Sequence, residues 1–460
     1  MPVRLRLAGA ILAAVATMVT ACGGPAAQST ESTSAPGPAA LSAATAPVSV
    51  TLWHGMGGAA GEALQAEIDA FNAANRGKIE VKASFQGSYA DAIAKYTSAI
   101  RDTSTPSVMV SNDITTGFLR DAGQTVPAAA MAAANPDDLD LDQLRPAARN
   151  YYTAQGQLLA VPLATSMPLL YVNDGLLDRA DVDRSTLGTL DGVAAAARKV
   201  SSASPDVKGI VQPMDGWWFE QLTAASGALY CTPANGREAG GATASSLTGE
   251  PQRRAIATMA KLYTDGVALD TGVDGNAAVK AFSAGKVAMM FNSSGAIGGL
   301  NQIGMKGYSV LPLPLSGDRA TSGALIGGAA MWVSRVGHTD AEQVASWKLV
   351  SHLASAAVQE RFAKATGYAP INTAVDTSSS WQAFLKDNPR SAVLAKQFAE
   401  TPSVPATSGC LSGAMSGIRA VVVPEMQQAF SGAKPLDDAL TAAQNAATAK
   451  INDYRKQAGQ

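Results

Sequence analysis

Residues 48–110 switch hydrophobic period four times, and few folds accommodate that. Residues 48–53 (VSVTLW) alternate apolar and polar in the manner of a half-buried strand. A Gly-rich turn follows, then residues 61–75 place Leu64, Ile68 and Phe71 at helical spacing. Alternation returns at 79–85 (IEVKASF), helical spacing at 90–101, and a short apolar run closes the series at 106–110. Strand, helix, strand, helix, strand predicts a parallel sheet with helices packed on its faces. The pattern recurs, with strands at 158–161, 169–173, 208–211, 287–291 and 308–313 and helices at 190–200, 253–263 and 277–284. The last third reads as helices at 340–355, 356–365, 381–387, 391–400, 418–430 and 435–454. From Val48 onward the chain is long enough for two α/β domains of ordinary size. Open α/β sheets bind ligands beyond the carboxyl ends of their strands, which directs attention to the turns after Trp53, Val110 and Phe291.

The N-terminal segment reads differently. Arg4 and Arg6 precede an apolar run at 7–19 that is too short to span a bilayer comfortably. Val19-Thr20-Ala21-Cys22 then resembles a bacterial lipobox, in which the thiol is acylated. Residues 1–22 are therefore expected to be a lipoprotein signal with Cys22 as the lipidation site, giving an extracytoplasmic protein anchored to the cell membrane through lipid. Residues 23–47 carry Ala, Ser, Thr, Pro and Gly with a single charge, Glu31, and are expected to form a flexible tether. The formal net charge of −2 gives no electrostatic grip on nucleic acid. Cys231 and Cys410 are the two other cysteines, an even pair that an exported chain could bridge.

Several segments, in order, resemble one known family. They are residues 52–58 (LWHGMGG), Gly87-Ser88-Tyr89, residues 161–173 (VPLATSMPLLYVN), residues 288–295 ending in Ser293-Ser294-Gly295, residues 326–333 (IGGAAMWV) and residues 366–370 (TGYAP). Together they resemble the carbohydrate-type ABC solute-binding proteins, in the branch that binds glycerol 3-phosphate and glycerophosphodiesters. The resemblance implies a periplasmic-binding-protein type of α/β fold, two lobes joined by a hinge with the ligand cleft between them. It places 48–163 plus 291–331 in lobe 1 and 164–290 plus 332–460 in lobe 2. It further implies a monomer that captures a small solute (sugar, polyol or glycerophosphodiester) and delivers it to the transmembrane subunits of an ABC permease.

The same resemblance assigns ligand contacts. Tyr89 offers a hydroxyl and a ring, and Asp113 a carboxylate able to accept two hydroxyls of a diol. Ser166 at the hinge and Ser293 at the expected strand return supply hydroxyls. Gly328 presents a backbone N–H at close approach, and Tyr368 stands on the expected second lobe. Trp217 and Trp218 form the stacking platform, Trp217 being the one expected to face the cleft. Each has an ordinary structural alternative: a cap for Asp113, a core or capping role for Tyr89. Two departures stand out. A second stacking Trp of the family is Met214 here, and the phosphate-binding Arg falls at Leu411. Leu cannot supply the guanidinium fork, so glycerol 3-phosphate itself is not expected, and Arg419 reads as structural.

Catalytic signatures are missing from the sequence. It has no Gly-x-Ser-x-Gly elbow, His-Glu-x-x-His pair or Walker loop. His338 and His352 read as solvated, and His54 could line the cleft. The expectation is a non-enzyme without metal or cofactor. A lipid-anchored glycoside-processing enzyme using Asp113, and a structural or adhesion lipoprotein without a small ligand, are the alternatives.

Overall fold

In the computed structural model, which describes residues 35–459, two mixed sheets carry the fold. The first runs in the order Ile79–Phe85, Val48–His54, Val108–Asn112, Gly327–Ser334 and Thr125–Val126, with Val161–Ser166 also paired along Gly327–Ser334. Its first three strands are parallel, as the alternating periods require, and Gly327–Ser334 enters antiparallel. The second sheet runs Ala268–Leu269, Lys208–Val211, Val287–Ser293, Pro168–Asn173 and Tyr308–Pro312.

Helix Gly58–Ala74 buries the expected stripe of Leu64, Ile68 and Phe71. Helix Tyr89–Arg101 starts where Ser88 and Asp91 form a capping box, which fixes the backbone at Tyr89. Apolar side chains on both sheets merge into one continuous core. Cys231 and Cys410 are bonded, with 5.6 Å between their Cα atoms.

The chain crosses between the sheets at Ser166–Pro168, where one strand ends and the next begins with only Met167 between them. The return differs from expectation. Val287–Ser293 does not lead back to the first sheet; it pairs with Pro168–Asn173, and Tyr308–Pro312 adds to the far side of the same strand. The return runs through residues 313–326 instead. Helices Asp340–Ala354 and Ala356–Thr366, expected in lobe 2, pack on the first sheet and on helix Gly58–Ala74. A bidentate Arg361–Glu67 pair at 2.6 and 2.8 Å fastens that contact. A strand belongs where its edge is paired, and sequence motifs do not reveal the partner edge.

The described part of the expected tether is docked. Residues 39–42 form one helical turn behind Pro38, Leu41 packs on the core, and Asn135 Nδ2 donates to Pro36 O at 3.0 Å. One apolar side chain and a proline with a helix-compatible φ suffice to seat it. Cys22 and the rest of the expected signal lie outside the described residues.

Candidate functional site

Asp113 follows strand Val108–Asn112 and opens a single 3-10 turn. It makes no side-chain cap, so its carboxylate is left for other partners. Only 8 % exposed, it lies 3.5 Å from the Tyr151 hydroxyl, and the backbone N–H groups of Gly328 and of Asp113 itself favour its charged form. Burial raises its pKa to about 6, against the pull of the Arg419 guanidinium; the nearby Glu220 adds to the rise. Tyr89, Tyr151, Tyr152 and Tyr368 surround it closely enough that its charge raises the pKa of each phenol beyond what burial does. These hydroxyls therefore stay protonated and able to donate at neutral pH. Tyr152 is buried with its hydroxyl unpartnered.

Gly327 and Gly328 open strand Gly327–Ser334 and pair with Ser166 and Thr165 of the first sheet. Gly328 has φ +120°, and a Cβ there would stand 1.9 Å from Ala164 O, so only glycine lets the strand lie this close to Val161–Ser166. Its N–H, expected to face a ligand, is close enough to the Asp113 carboxylate to favour that group's charged form. On Gly327 a Cβ would meet Ser166 Oγ at 3.0 Å and the Trp217 ring at 3.2 Å. Ser166 from the first sheet and Trp217 from the second thus flank one glycine.

Trp217 and Trp218 lie on helix Gly216–Ala225, not on a strand, and Asp215 caps it by accepting from Trp218 N at 3.3 Å. Successive side chains on a helix diverge by about 100°, so the two indoles meet different surroundings. Trp217 is half-buried with its Nε1 enclosed and unpartnered. Trp218 is a core residue, 2 % exposed, tilted on Phe291 at 5.5 Å, and it supports Trp217 edge-on at 5.3 Å. Trp218 thus packs in the core behind Trp217 and presents no free face to a solute. Met214, 1 % exposed, is core as well.

Tyr368 stands on the first-sheet side, because Ala369 N donates to Thr165 O at 2.8 Å. It stacks on Phe362 at 6.2 Å. Ser293 ends a strand of the second sheet; its carbonyl accepts from Tyr171 Oη at 2.7 Å and its Oγ from Gly295 N at 3.3 Å. The expected distribution of Ser166, Tyr368 and Ser293 between the lobes is thus reversed. Of the histidines, His338 is nearly buried and bonded to Glu342 at 2.9 Å, not solvated. His54 is buried, its pKa lowered by that burial, with Nδ1 accepting from Met56 N at 3.3 Å.

Beneath the site, Glu220 grips Arg419 at 2.7 and 2.9 Å, one turn along the helix that carries Trp217. Burial pulls the Arg419 pKa down, but Glu220 outweighs it and holds the guanidinium firmly protonated. Arg419 is thus engaged by Glu220. Burial lifts the Asp215 carboxyl above its ordinary range. Leu411 is 2 % exposed and offers an apolar side chain where a phosphate would need a cation. Tyr151, Tyr152 and Glu220 were not anticipated. The tandem tyrosines ahead of the first crossing were the available signal.

The arrangement can accept hydroxyl donors on a carboxylate, donate from phenols and stack an apolar ring face on an indole. Among the described residues no helix is long and apolar enough to cross a membrane.

Residues 66–389 match the bacterial extracellular solute-binding proteins. The chain is 25 % identical over 421 residues to the sn-glycerol-3-phosphate-binding periplasmic protein UgpB of Escherichia coli O1:K1, covering 90 % of this chain and 95 % of that one. Two solved structures share the fold. UgpB from Mycobacterium tuberculosis, in complex with glycerophosphocholine, has a TM-score of 0.75 at 18 % identity, over 89 % of this chain and 99 % of that one. The cyclic alpha-maltosyl-1,6-maltose binding protein from Arthrobacter globiformis has a TM-score of 0.73 at 19 % identity, over 88 % and 100 %. With two α/β lobes, a cleft at their seam and a match across most of its length, the chain belongs to the bacterial extracellular solute-binding protein family.

Proposed function

We propose that this protein is the substrate-binding subunit of an ABC importer and captures a sugar, polyol or glycerophosphodiester. The observation that carries the reading is a buried carboxylate, Asp113, ringed by four tyrosines, together with an indole of unpartnered N–H, Trp217, packed against Gly327. Buried polar atoms without partners are costly, and a solute rich in hydroxyls would satisfy them. Tyr89, Asp113, Ser166 and Tyr368 would hold it from the first lobe, Trp217 and Ser293 from the second. A solute touching both lobes favours the closed state, because only there are both sets of contacts made. The closed form then docks on the permease.

The protein performs no chemistry on its solute in this reading. It acts as a monomer, held to the membrane by acylation of Cys22. Lobe 1 comprises 48–166 and 327–372, and lobe 2 comprises 168–312 with the C-terminal helices. A phosphomonoester is a poor fit: Arg419 is engaged by Glu220, and Leu411 is apolar.

The test is a thermal-shift screen of the soluble form lacking residues 1–22. The panel would hold maltose, trehalose, amino sugars, polyols, glycerol 3-phosphate and glycerophosphocholine. A rise with at least one uncharged or zwitterionic solute, and none with glycerol 3-phosphate, is expected. A rise with glycerol 3-phosphate alone would overturn the assignment of solute class, and no rise with any would overturn the reading.

A further inference from the structure

Arg237 donates to four backbone carbonyls: Asn235 O at 2.9 Å, Tyr151 O at 2.7 Å, Ser408 O and Gly409 O. No carboxylate among the described residues pairs with it, and its Nε is buried without a partner. The guanidinium carbon also lies 5.7 Å from the Tyr151 ring centroid. The carbonyls come from separate parts of the chain. Ser408 and Gly409 belong to the loop bridged through Cys410 to Cys231. Asn235 braces the same loop, its Nδ2 donating to Pro405 O at 2.8 Å and its carbonyl accepting from Leu411 N at 2.8 Å. Tyr151 ends helix Pro146–Tyr151, just ahead of the first-sheet strand Val161–Ser166. At Gly409 a Cβ would stand 2.6 Å from the Tyr151 ring, so the loop closes directly on that ring.

Tyr151 is also the residue whose hydroxyl reaches Asp113. We propose that Arg237 is a positioning residue for the solute site: it locks the backbone and ring face of Tyr151 to the disulfide-bridged loop, and so fixes the hydroxyl that meets Asp113. A planar fork with five N–H donors can serve four carbonyls at once; a lysine ammonium, with three, cannot. The arginine comes from the segment between helices Gly216–Ala225 and Glu250–Thr264 of the second lobe, so the lock also joins the two lobes at this edge.

The proposal rests on the reading that Asp113 holds the solute, and its test separates the two. Asp113 is faced by Tyr89, Tyr151, Tyr152, Tyr368, Glu220 and Arg419. In the soluble form without solute, melting temperature is followed against pH, and the part abolished by Asp113→Asn reports that carboxyl's titration. Tyr151→Phe and Arg237→Gln should each move its midpoint upward, and the double variant no further than either. With solute, maltose and glycerophosphocholine are the probes. Each single variant should lose about tenfold in affinity and the double variant about tenfold rather than a hundredfold, since residues acting through one contact are not additive. Arg237→Lys carries the same test if Arg237→Gln does not fold. A uniform drop in melting temperature with the midpoint unmoved, or Arg237→Gln costing the same in the Tyr151→Phe background as in the wild type, overturns the proposal. If neither probe binds the wild type, the solute reading fails for them and the midpoint alone decides the role of Arg237.

Discussion

Asp113 is buried where ionisation is costly, and the backbone N–H groups of Gly328 and of Asp113 itself, with a long bond from Tyr151, offset only part of that cost. The sign of its pH linkage follows. A carboxyl whose folded pKa lies above the unfolded value near 3.9 favours the folded state when protonated. Its contribution is present below about pH 4 and is lost as pH rises through about 6. Two pKa units correspond to on the order of 3 kcal/mol. Thermal melts of the solute-free protein from pH 4 to 7 should therefore show wild type losing stability relative to Asp113→Asn over that range. A constant difference between the two would contradict the buried, high-pKa assignment. Arg419 opposes and Glu220 reinforces the shift, so both are kept intact in this comparison.

Helix Gly216–Ala225 and helix Met415–Phe430 are braced by the Glu220–Arg419 pair, with side chains 2 % and 22 % exposed. Breaking a buried pair strands one charge, which costs about 3–5 kcal/mol. Arg419→Met should lower unfolding stability by that amount in urea, while Glu220→Gln with Arg419→Met together should recover part of it. A loss no larger than that of an exposed pair would contradict the brace. The same helix shows what sequence could and could not reveal. Its tandem tryptophans pointed to the site, but the segment opens with Gly and lacks the repeated apolar stripe that exposes a helix such as Gly58–Ala74. Strand Ile79–Phe85, with one solvated face, was legible to the residue from its alternation. Tyr308–Pro312 was recognisable as a strand but not its sheet, because pairing edges leave no periodic mark. Asp113 and Tyr89 were assigned by resemblance. Arg237 acts through contacts far apart in sequence and carried no local signature, and Tyr151 and Tyr152 offered only their tandem placement.

At the scale of the molecule, two sheets are joined by Met167, by residues 313–326 and by the C-terminal helices that follow the first lobe. Such connections allow rotation of one lobe on the other while the residues around Gly327-Gly328 stay at the seam. In the proposed reading, closing on a solute needs contacts from both sides, with Asp113 and Trp217 as the principal group on each. Calorimetric titration of the best solute from the panel into wild type, Asp113→Asn and Trp217→Ala tests this most directly. Saturable binding by the wild type, weakened at least about tenfold in each variant, is the predicted result. Unchanged affinity in both variants would contradict it and place the solute elsewhere.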